Sequence, residues 1–473
     1  MLTIGYLVEA ITEEKITGLG EVITDAVVDS RQVTPGGLFV AMEGESQDGH
    51  DYVTDAFERG AVAALVEREL PLEASSLDLR KPIKAQLKQV LEPPIILRVA
   101  KTLDALQTAA MAWRAQSDVR VIGITGSVGK STTKELVADV LSRRYKTVRS
   151  PGNLNNEIGL PLSILRLTEA HERAVLEMGF YIPGEIGLLC DIAKPQIGVV
   201  TNISHVHLER AGSMDAIVCG KGELVEALPP APEGVAILNY DEPLVRELAD
   251  RTQARVFYYG LSPEADLWAS DVEGMGLEGL RCVVHHGEDA IHCRAPLLGR
   301  HSVHTILRAA SVGIVEGLSW AEIIGGLQAT HNQLRLVAVQ TASGALLLDD
   351  TYNAAPTSVI AALNLLDDLD GRKIAVLGDM LELGEFEERG HRMVGARAAQ
   401  VVDLLITVGE RAKWIAKEAR SARLSENQVV VLGNGDEVIE YLDEKVGEGD
   451  VVLVKGSHGM RLDRIVTALE EIQ

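Results

Sequence analysis

The sequence lacks the features of a membrane protein, a secreted protein or a zinc-finger protein. Its four cysteines (Cys190, Cys219, Cys282 and Cys293) form no CxxC pair, so neither a zinc nor a redox motif is indicated and reduced thiols are expected. No apolar run is long enough to span a bilayer, and no basic segment followed by an apolar run opens the chain. We therefore expect a cytoplasmic protein.

Aromatic residues and positive charge are also scarce. Aromatic residues make up 4% of the 473 residues, so aliphatic side chains must fill the cores. The chain has 45 Lys and Arg residues and 69 Asp and Glu residues, which gives a net charge of -24. The sequence contains no long basic run. Such a chain repels nucleic acid and anionic membranes, so neither is an expected partner. An anionic small-molecule substrate needs its own cationic pocket, and nothing in the sequence demands more than a monomer.

The length and the alternation of strand-like and helix-like segments predict an α/β protein of three domains. We place them at residues 1–100, 101–331 and 332–473. The central domain is predicted to hold a parallel sheet with helices on both faces, and the last domain to be Rossmann-like. The polar, proline-punctuated stretch at 70–95 is interpreted as an insertion or surface connection. The strand candidates around the predicted site are 119–125, 174–177, 197–201, 345–349, 373–377, 404–408, 429–432 and 451–454.

A glycine loop follows the first of these strands. Residues 121–133 read Val-Ile-Gly-Ile-Thr-Gly-Ser-Val-Gly-Lys-Ser-Thr-Thr. A buried strand that delivers glycines to a helix N-terminus is typical of phosphate binding, because backbone N–H groups and the helix dipole face the anion. Lys130 can reach the β- and γ-phosphates, and the Ser131 hydroxyl can ligate Mg²⁺. The pattern predicts ATP binding by Thr125, Gly126, Ser127, Gly129, Lys130, Ser131 and Thr132.

Three more side chains are expected near the carboxyl ends of the same sheet. Glu177 ends a strand, His207 follows another, and Lys221 opens a helix. Taken singly, each has an ordinary explanation as a solvated strand end, a loop histidine or a surface lysine. The residues alone leave these alternatives open.

Further motifs flank the glycine loop. They are Asp29-Ser30-Arg31, Asp48-Gly49-His50, Asn-Leu-Asn-Asn-Glu-Ile-Gly at 153–159, Asp-Asp-Thr-Tyr-Asn-Ala at 349–354, Leu-Gly-Asp-Met-Leu-Glu-Leu-Gly at 377–384 and Lys455-Gly456-Ser457. With the loop, they resemble the Mur ligase family of peptidoglycan synthesis over nearly the whole chain. The three C-terminal motifs resemble the MurF type, the branch that adds D-alanyl-D-alanine to UDP-N-acetylmuramoyl-tripeptide. The Asp-Asn-Pro-Arg signature of the diaminopimelate-adding branch is absent from the sequence.

The resemblance implies an ATP-dependent carbon–nitrogen ligase that works through an acyl phosphate and two Mg²⁺ ions. It implies an N-terminal UDP-binding domain, a central ATPase domain and a C-terminal domain that closes over it. It assigns catalysis to Lys130, Lys221, Glu177 and His207, with Ser131, Glu177, His207 and a CO₂-derived carbamate on Lys221 as metal ligands. It adds Asn202, His301, Arg335 and Asp350 to the ATP site. It assigns substrate contacts to Ser30, Arg31, Gly49, His50, Asn155, Asn156, Tyr352, Asn353, Lys455 and Ser457.

Several positions depart from the family pattern. The adenine segment Gly-x-His-Asn-x-x-Asn has Ser302 and Thr305 in place of both asparagines, so the bidentate amide is lost. His458 stands where relatives commonly have Arg. Two alternatives follow. One is another amide ligase of the superfamily, such as a folylpolyglutamate or cyanophycin type, and the other is a non-catalytic nucleotide-binding homologue. The N-terminal motifs argue against the first, and the joint presence of the catalytic set argues against the second.

Overall fold

The computed structural model describes residues 1–16, 18–44, 47–86, 91–329, 337–341 and 343–470. Within those residues the chain forms three β-sheets that follow one another along the sequence, each packed with helices. The predicted α/β class with three domains is confirmed. The proposed boundaries at residues 100 and 331 stay predictions, and the second lies outside the described residues. In the described part of the chain, no helix is both long enough and apolar enough to cross a bilayer.

The N-terminal domain is built on five parallel strands. Its elements are α1 (Ile4–Thr12), β1 (Ala26–Val27), β2 (Leu38–Val40), α2 (Val53–Glu58), β3 (Ala63–Val66), β4 (Ser75–Asp78) and β5 (Ile95–Arg98). The sheet order is β1-β2-β3-β5-β4. Two 3₁₀ turns, Ser30–Gln32 and Gly49–Tyr52, carry the two N-terminal motifs to one side of this sheet.

The stretch at 70–95 corrects the sequence interpretation. It supplies β4, the edge strand that pairs in parallel with β5, and the 3₁₀ turn Ile83–Ala85. Leu77 and Ile83 are fully buried in the domain core. The segment is therefore part of the sheet rather than a surface insertion. The strand was missed because Ser75–Asp78 holds a single apolar residue, too few to show the alternation that marks a strand.

The central domain carries the largest sheet. Its elements are α3 (Thr102–Ala115), β6 (Arg120–Thr125), α4 (Lys130–Leu141), β7 (Thr147–Arg149), α5 (Gly159–Leu165), β8 (Arg173–Glu177), α6 (Glu185–Ala193), β9 (Ile197–Val200), α7 (Leu208–Ala211), α8 (Met214–Glu226), β10 (Val235–Asn239), α9 (Pro243–Arg246), β11 (Arg255–Gly260), β12 (Leu267–Gly274), β13 (Leu280–His286), β14 (Asp289–Ala295), α10 (Val303–Val315) and α11 (Trp320–Leu327). The order is β14-β13-β12-β11-β10-β9-β6-β8-β7.

The pairing in this sheet changes at β12. Strands from β7 to β12 are parallel, as predicted, whereas β12, β13 and β14 form an antiparallel extension that the sequence interpretation missed. Apolar side chains pack on both faces of the parallel part. The carboxyl ends of β6, β8 and β9 therefore lie side by side, and this edge of a parallel sheet is where such folds bind ligands.

The C-terminal domain is a second, smaller parallel sheet. Its elements are β15 (Val337–Gln340), β16 (Leu346–Asp350), α12 (Pro356–Asp367), β17 (Arg372–Gly378), α13 (Glu387–Val401), β18 (Leu404–Val408), α14 (Lys413–Ala422), β19 (Val429–Leu432), α15 (Gly435–Lys445), β20 (Asp450–Lys455) and α16 (Asp463–Glu470). The order is β15-β16-β20-β17-β18-β19, and only β15 is antiparallel to its neighbour among the described strands. The adjacent strands β16, β20 and β17 end at the three C-terminal motifs.

Ion pairs join the central domain to both of its neighbours. Arg166, at the end of α5, forms a bidentate pair with Asp25 of the N-terminal domain, with N···O distances of 2.8 and 2.9 Å. On the other side, the Arg210 guanidinium of the central domain lies 3.0 Å from the Glu382 carboxylate of the C-terminal domain. The carboxyl edges of the two parallel sheets thus face a shared space.

Candidate active site

The glycine loop joins β6 to α4 in the middle of the central sheet. Gly126 has φ 142°, and a Cβ there would lie 1.9 Å from the Thr201 hydroxyl oxygen, so only glycine fits. Gly129, with φ 83°, is the N-cap of α4 and provides no side-chain hydrogen bond. The first N–H groups of a 12-residue helix are therefore left for an external anion, which is the arrangement that binds phosphate.

Three of the residues predicted to bind ATP hold the loop in shape. The Asn202 amide accepts from the Val128 N–H at 2.9 Å and donates to the Val128 carbonyl at 3.0 Å. The Ser127 hydroxyl donates to the Ser204 carbonyl and accepts from its N–H. Thr125 is fully buried, and its hydroxyl donates to a backbone carbonyl beyond β8. Their contacts with nucleotide stay predictions.

Glu177 lies beside the loop at the end of β8. Its Oε2 accepts from the Ser131 hydroxyl at 2.6 Å and its Oε1 from the Asn155 amide at 2.9 Å, while only 2% of the residue is exposed. The Lys130 ammonium donates to the Gly126 carbonyl at 2.8 Å. The structure thus brings the predicted phosphate lysine and two oxygen ligands of the kind Mg²⁺ prefers to one place.

Lys134 belongs to the same cluster and was not singled out from the sequence. It lies one turn after Lys130 in α4 and is 1% exposed. Its ammonium donates to the Gly152 carbonyl at 2.7 Å, lies 3.1 Å from the Glu135 carboxylate and 4.0 Å from that of Glu177. The only sequence signal was its spacing of four from Lys130, which places both on one face of the helix.

Lys221 is a buried lysine without a counter-charge. It sits in α8 and is 1% exposed, with its Nζ 4.6 Å from the centre of the Phe180 ring. No carboxylate pairs with it among the described residues. Burial, reinforced by the positive charge of Lys130, lowers the pKa of Lys221 well below its usual value. The neutral amine is therefore favoured, and this is the nucleophilic form of a lysine.

His207 lies at the boundary with the C-terminal domain. It precedes α7 with φ 63°, and its Nδ1 is 2.5 Å from the Glu382 carboxylate. The Tyr181 ring packs edge-on against it, with ring centroids 4.9 Å apart. Burial lowers the pKa of His207, an effect that the Glu382 hydrogen bond partly opposes. The predicted catalytic set therefore extends to the domain boundary.

The predicted metal ligands can be tested against the geometry. Across the described ranges, no group of three or more His, Cys, Asp or Glu side chains lies close enough together to hold an ion. Mg²⁺, however, usually takes one or two carboxylates and completes its shell with phosphate and water. The Ser131–Glu177 pair fits one ion on that basis. The second ion that the resemblance implies at His207 and Lys221 does not fit the residues as they stand, because Lys221 is an amine and no acidic side chain pairs with it among the described residues.

The segment predicted to contact adenine leads into α10. The Ser302 hydroxyl donates to the Leu298 carbonyl at 2.7 Å, so it is engaged with its own backbone. Arg308, which the sequence interpretation missed, is 5% exposed and donates to the Thr133 hydroxyl at 2.8 Å. Its Nη1 lies 3.2 Å from the place where a Cβ on Gly129 would stand. This arginine adds positive charge directly behind the phosphate loop.

The remaining residues predicted to contact the nucleotide are His301, Thr132, Asp350 and Arg335. His301 is exposed in the 3₁₀ turn Arg300–Ser302, and Thr132 is half-buried in the first turn of α4. Asp350, at the end of β16, forms an ion pair of 2.7 Å with Lys455. The predicted contact of Arg335 lies outside the described residues.

A cavity of about 330 Å³ opens between the central and C-terminal domains. Lys455 is 2% exposed beneath it, where it also donates to the Asn353 carbonyl at 2.8 Å. The cavity therefore joins predicted substrate contacts to the predicted catalytic histidine. Its lining is Asn153, Tyr181, Val206, His207, Tyr352, Asn353, Ala354, Ala355, Leu381, Glu382, Leu383, Ser457, His458 and Gly459.

A second cavity, of about 960 Å³, lies mainly in the N-terminal domain. Ser30, Arg31 and Gly49 line it, together with Lys101 and Ile158 of the neighbouring segments. It is large enough for a nucleotide-sized ligand. The Arg31 guanidinium forms a bidentate pair with the Asp29 carboxylate, and this hydrogen bonding lowers the pKa of Asp29.

His50 and Asn156, both predicted to bind substrate, have structural partners and do not line this cavity. His50 is 6% exposed, with Nδ1 2.6 Å from the Asp48 carboxylate and Nε2 accepting from the Glu67 N–H at 2.9 Å. The Asn156 side chain accepts from the Gly159 N–H at 2.9 Å at the start of α5. Both side chains thus fix local turns, and the proposed substrate contacts remain untested predictions.

Comparison with known protein families gives three matches along the chain. The model of the Mur ligase family catalytic domain matches residues 23–112, that of the Mur ligase middle domain residues 124–313, and that of the Mur ligase glutamate ligase domain residues 334–458. The chain is also 35% identical to the UDP-N-acetylmuramoyl-tripeptide–D-alanyl-D-alanine ligase of Bacillus subtilis (strain 168). That alignment covers 95% of this chain and 94% of the relative.

Solved structures of relatives superpose on this chain over nearly its whole length. A crystal structure of MurF from Acinetobacter baumannii superposes with a TM-score of 0.83 at 28% identity, covering 99% of this chain and 98% of that one. MurF ligase from Thermotoga maritima, crystallised in complex with ADP, superposes with a TM-score of 0.76 at 27% identity and covers 94% of this chain and 97% of that one. The similarity therefore extends over all three domains.

Proposed function

This chain belongs to the Mur ligase family, and we propose that it joins D-alanyl-D-alanine to UDP-N-acetylmuramoyl-tripeptide, using ATP, in the cytoplasm. It is an ATP-dependent amide ligase of peptidoglycan precursor synthesis. The observation that carries the proposal is the cavity between the central and C-terminal domains. It connects the predicted catalytic residue His207 with Tyr352, Asn353 and Ser457 of the branch-specific motifs.

The phosphate loop binds and orients ATP in this proposal. The uncapped N-terminus of α4 and the Lys130 ammonium neutralise charge on the phosphates, and Arg308 adds a positive charge behind them. The Ser131 and Glu177 oxygens would hold one Mg²⁺. Magnesium supplies electrostatic stabilisation of the phosphoryl group in transfer. Phosphoryl transfer of this kind depends mainly on positioning and charge, which these residues supply.

Lys221 is proposed to carry a carbamate. Its neutral nitrogen attacks the carbon of CO₂, the new N–C bond forms as one C=O π-bond opens, and a proton leaves the nitrogen to solvent. The product is a carboxylate-like anion in place of a cation. Full burial without an acidic partner and the lowered pKa of Lys221 both favour the reactive amine. The carbamate and His207 would then hold a second Mg²⁺.

The two cavities take the two peptide substrates. We assign the larger one, with Ser30 and Arg31 on its wall, to the UDP end of the donor. The planar guanidinium of Arg31 can donate two parallel hydrogen bonds to a diphosphate. To do so, it must release the Asp29 carboxylate with which it pairs in this structure. The smaller cavity takes the dipeptide, with His458 and Ser457 on its wall to meet the dipeptide carboxylate.

The reaction follows in two steps. The terminal carboxylate oxygen of the tripeptide attacks the γ-phosphorus, the bond to the β-phosphate oxygen breaks, and ADP leaves. The dipeptide amine then attacks the carbonyl carbon of the acyl phosphate. The tetrahedral intermediate collapses as its bond to the phosphate oxygen breaks, so phosphate leaves, and the nitrogen loses a proton. Lys130 stabilises charge in the first step, and the domain boundary keeps water from the acyl phosphate.

The test is phosphate release by the purified chain with ATP, Mg²⁺, bicarbonate and UDP-N-acetylmuramoyl-tripeptide. We expect release that depends on D-alanyl-D-alanine, with the pentapeptide product seen by mass spectrometry. Parallel reactions with D-alanyl-D-lactate and L-alanyl-L-alanine test whether His458 has shifted the acceptor. Release with another acceptor alone would replace the proposal by a different amide ligase. Tight ATP binding without release under any condition would favour the non-catalytic alternative.

A further inference from the structure

The asparagine loop, residues 150–156, follows β7 and leads toward α5. The Asn155 amide donates to the Glu177 carboxylate at 2.9 Å, and the Asn155 carbonyl accepts from the Gly179 N–H at 2.7 Å. Asn153 lines the smaller cavity, between the central and C-terminal domains. The loop therefore reaches from the end of β8, beside the phosphate loop, to the wall of the cavity assigned to the dipeptide.

Lys134 of α4 fastens this loop by its backbone. The Lys134 ammonium donates to the Gly152 carbonyl at 2.7 Å. It also lies 3.1 Å from the Glu135 carboxylate and 4.0 Å from that of Glu177. The lysine is 1% exposed, and a hydrogen bond from a buried charged group is stronger than one between neutral groups. One cation thus joins the helix after the phosphate loop, the asparagine loop and the end of β8.

Lys134 does not duplicate Lys130, which lies one turn earlier in the same helix. The Lys130 ammonium donates to the Gly126 carbonyl at 2.8 Å within the phosphate loop, whereas the Lys134 ammonium is covered by protein at the asparagine loop. Lys130 is therefore placed to meet phosphate, and Lys134 is not. Lys134 can change only where the groups around the phosphates stand. A misplacement of about 1 Å in an active site can cost about 100-fold in rate.

We propose that Lys134 is a positioning residue that fixes the asparagine loop to the phosphate-loop helix, so that the wall of the smaller cavity stays aligned with the γ-phosphate of ATP. The inference rests on the proposed function, because the reacting groups belong to it. The lysine touches neither nucleotide nor peptide in this role. Loss of its ammonium should therefore slow the reaction and leave the affinity for nucleotide unchanged.

A purely structural cation is the competing explanation, and Arg114 provides a matched control. Arg114 is another buried cation of the central domain, 6% exposed, and it donates to the Ala193 and Ser117 carbonyls at 2.7 Å each. These carbonyls precede β9 and β6, at the amino ends of the strands and thus opposite the phosphate loop. If Lys134 served only to stabilise the domain, loss of either cation would affect activity alike.

The experiment compares full-length Lys134→Met and Arg114→Met with wild type, below the unfolding transition of each. Phosphate release gives kcat, calorimetry gives the Kd for AMP-PCP, and hydrogen exchange with mass spectrometry follows residues 150–156. For Lys134→Met we expect kcat to fall about 100-fold at an AMP-PCP Kd within about twofold of wild type. The amides of the asparagine loop should exchange at least about tenfold faster. Arg114→Met should match wild type in all three measurements.

Three results would overturn the positioning role. They are a wild-type kcat in Lys134→Met, an AMP-PCP Kd that rises as far as kcat falls, and an equal loss of kcat in Arg114→Met. Lys134→Gln, which keeps a polar group in the site, takes the place of Lys134→Met if that variant does not fold. If wild type releases no phosphate, the proposed function fails. Loop exchange and AMP-PCP binding then still test the attachment, and unchanged exchange in Lys134→Met rules it out.

Discussion

Two lysines of the site are equally buried but differ in their partners, and this contrast gives a sharp prediction for Lys221→Met. Lys221 and Lys134 are each 1% exposed. Lys134 donates to the Gly152 carbonyl and pairs with Glu135, whereas Lys221 faces the Phe180 ring and no carboxylate among the described residues. We expect Lys221→Met to lose most of the ligase activity without loss of stability.

The expected magnitudes follow from these contacts. Methionine keeps the apolar packing against the Phe180 ring, whereas removal of the Lys221 amine also removes the cost of burying a lysine without a partner, which is several kcal/mol. The free energy of unfolding should therefore stay level or rise, by up to about 4 kcal/mol. Lys134→Met should lower it by about 2–3 kcal/mol, because a hydrogen-bonded charge is lost. Phosphate release by Lys221→Met should fall by about 100-fold or more, equivalent to about 3 kcal/mol of transition-state stabilisation.

The assay is urea unfolding in CO₂-free buffer at pH 7 and pH 9.5, with phosphate release measured separately in bicarbonate. Since the folded pKa of Lys221 lies below its unfolded value, the unfolded state binds more protons between the two values. Wild type should therefore gain stability as pH rises toward about 10.4, the unfolded pKa of lysine. Lys221→Met lacks this gain, so its stability advantage over wild type should shrink at pH 9.5.

Two results would refute this reasoning. A loss of more than about 2 kcal/mol in Lys221→Met would mean that the amine is a structural group with a partner, as for Lys134. Phosphate release at the wild-type rate would mean that Lys221 takes no part in the reaction. A circular dichroism spectrum unchanged from wild type is the control that both variants are folded.

Three further substitutions test the nucleotide and acceptor sites. Gly126→Ala places a Cβ 1.9 Å from a hydroxyl oxygen at φ 142°, so ATP binding by calorimetry should be lost, whereas Gly20→Ala, with nothing within 4 Å, should bind normally. Arg308→Met should weaken ATP binding about tenfold, or about 1.4 kcal/mol, by removing charge behind the phosphate loop, while the exposed Arg294→Met should not. His458→Arg should lower KM for D-alanyl-D-alanine several-fold at unchanged kcat, since a full charge then faces the dipeptide carboxylate.

Each of these has a result that would count against it. ATP affinity retained in the Gly126 variant would show that the loop can move away from its neighbour. Equal losses in both arginine variants would indicate a general effect of net charge. A change in kcat but not KM for the His458 variant would place that residue at the reacting atoms instead of at the dipeptide carboxylate.

Much of the fold could be predicted because its signals are local. The glycine loop combines a buried strand, glycines and a helix start within 13 residues at 121–133. The C-terminal strands at 404–408 and 429–432 were placed at the bounds that the structure gives them, since each is a short, nearly continuous apolar run. The first is fully buried, and the second, at the edge of the sheet, is partly exposed. The edge strand β4 and the antiparallel strands β12 to β14 were missed, because half-exposed strands show weaker patterns.

The sequence by itself determined which chemical groups are present, since motif spacing fixes the loop, the strand ends and the family. Only the tertiary structure decided their states and partners. Lys134 lies beside the Glu135 carboxylate, whereas Lys221 has no carboxylate partner among the described residues. His50 and Asn202 accept hydrogen bonds from backbone N–H groups, and Arg308 binds Thr133 behind the phosphate loop. Glu382 contacts His207 across the domain boundary. The physical reason is that burial and charge pairing depend on residues far apart in the chain, such as positions 207 and 382, whose distance no local pattern encodes.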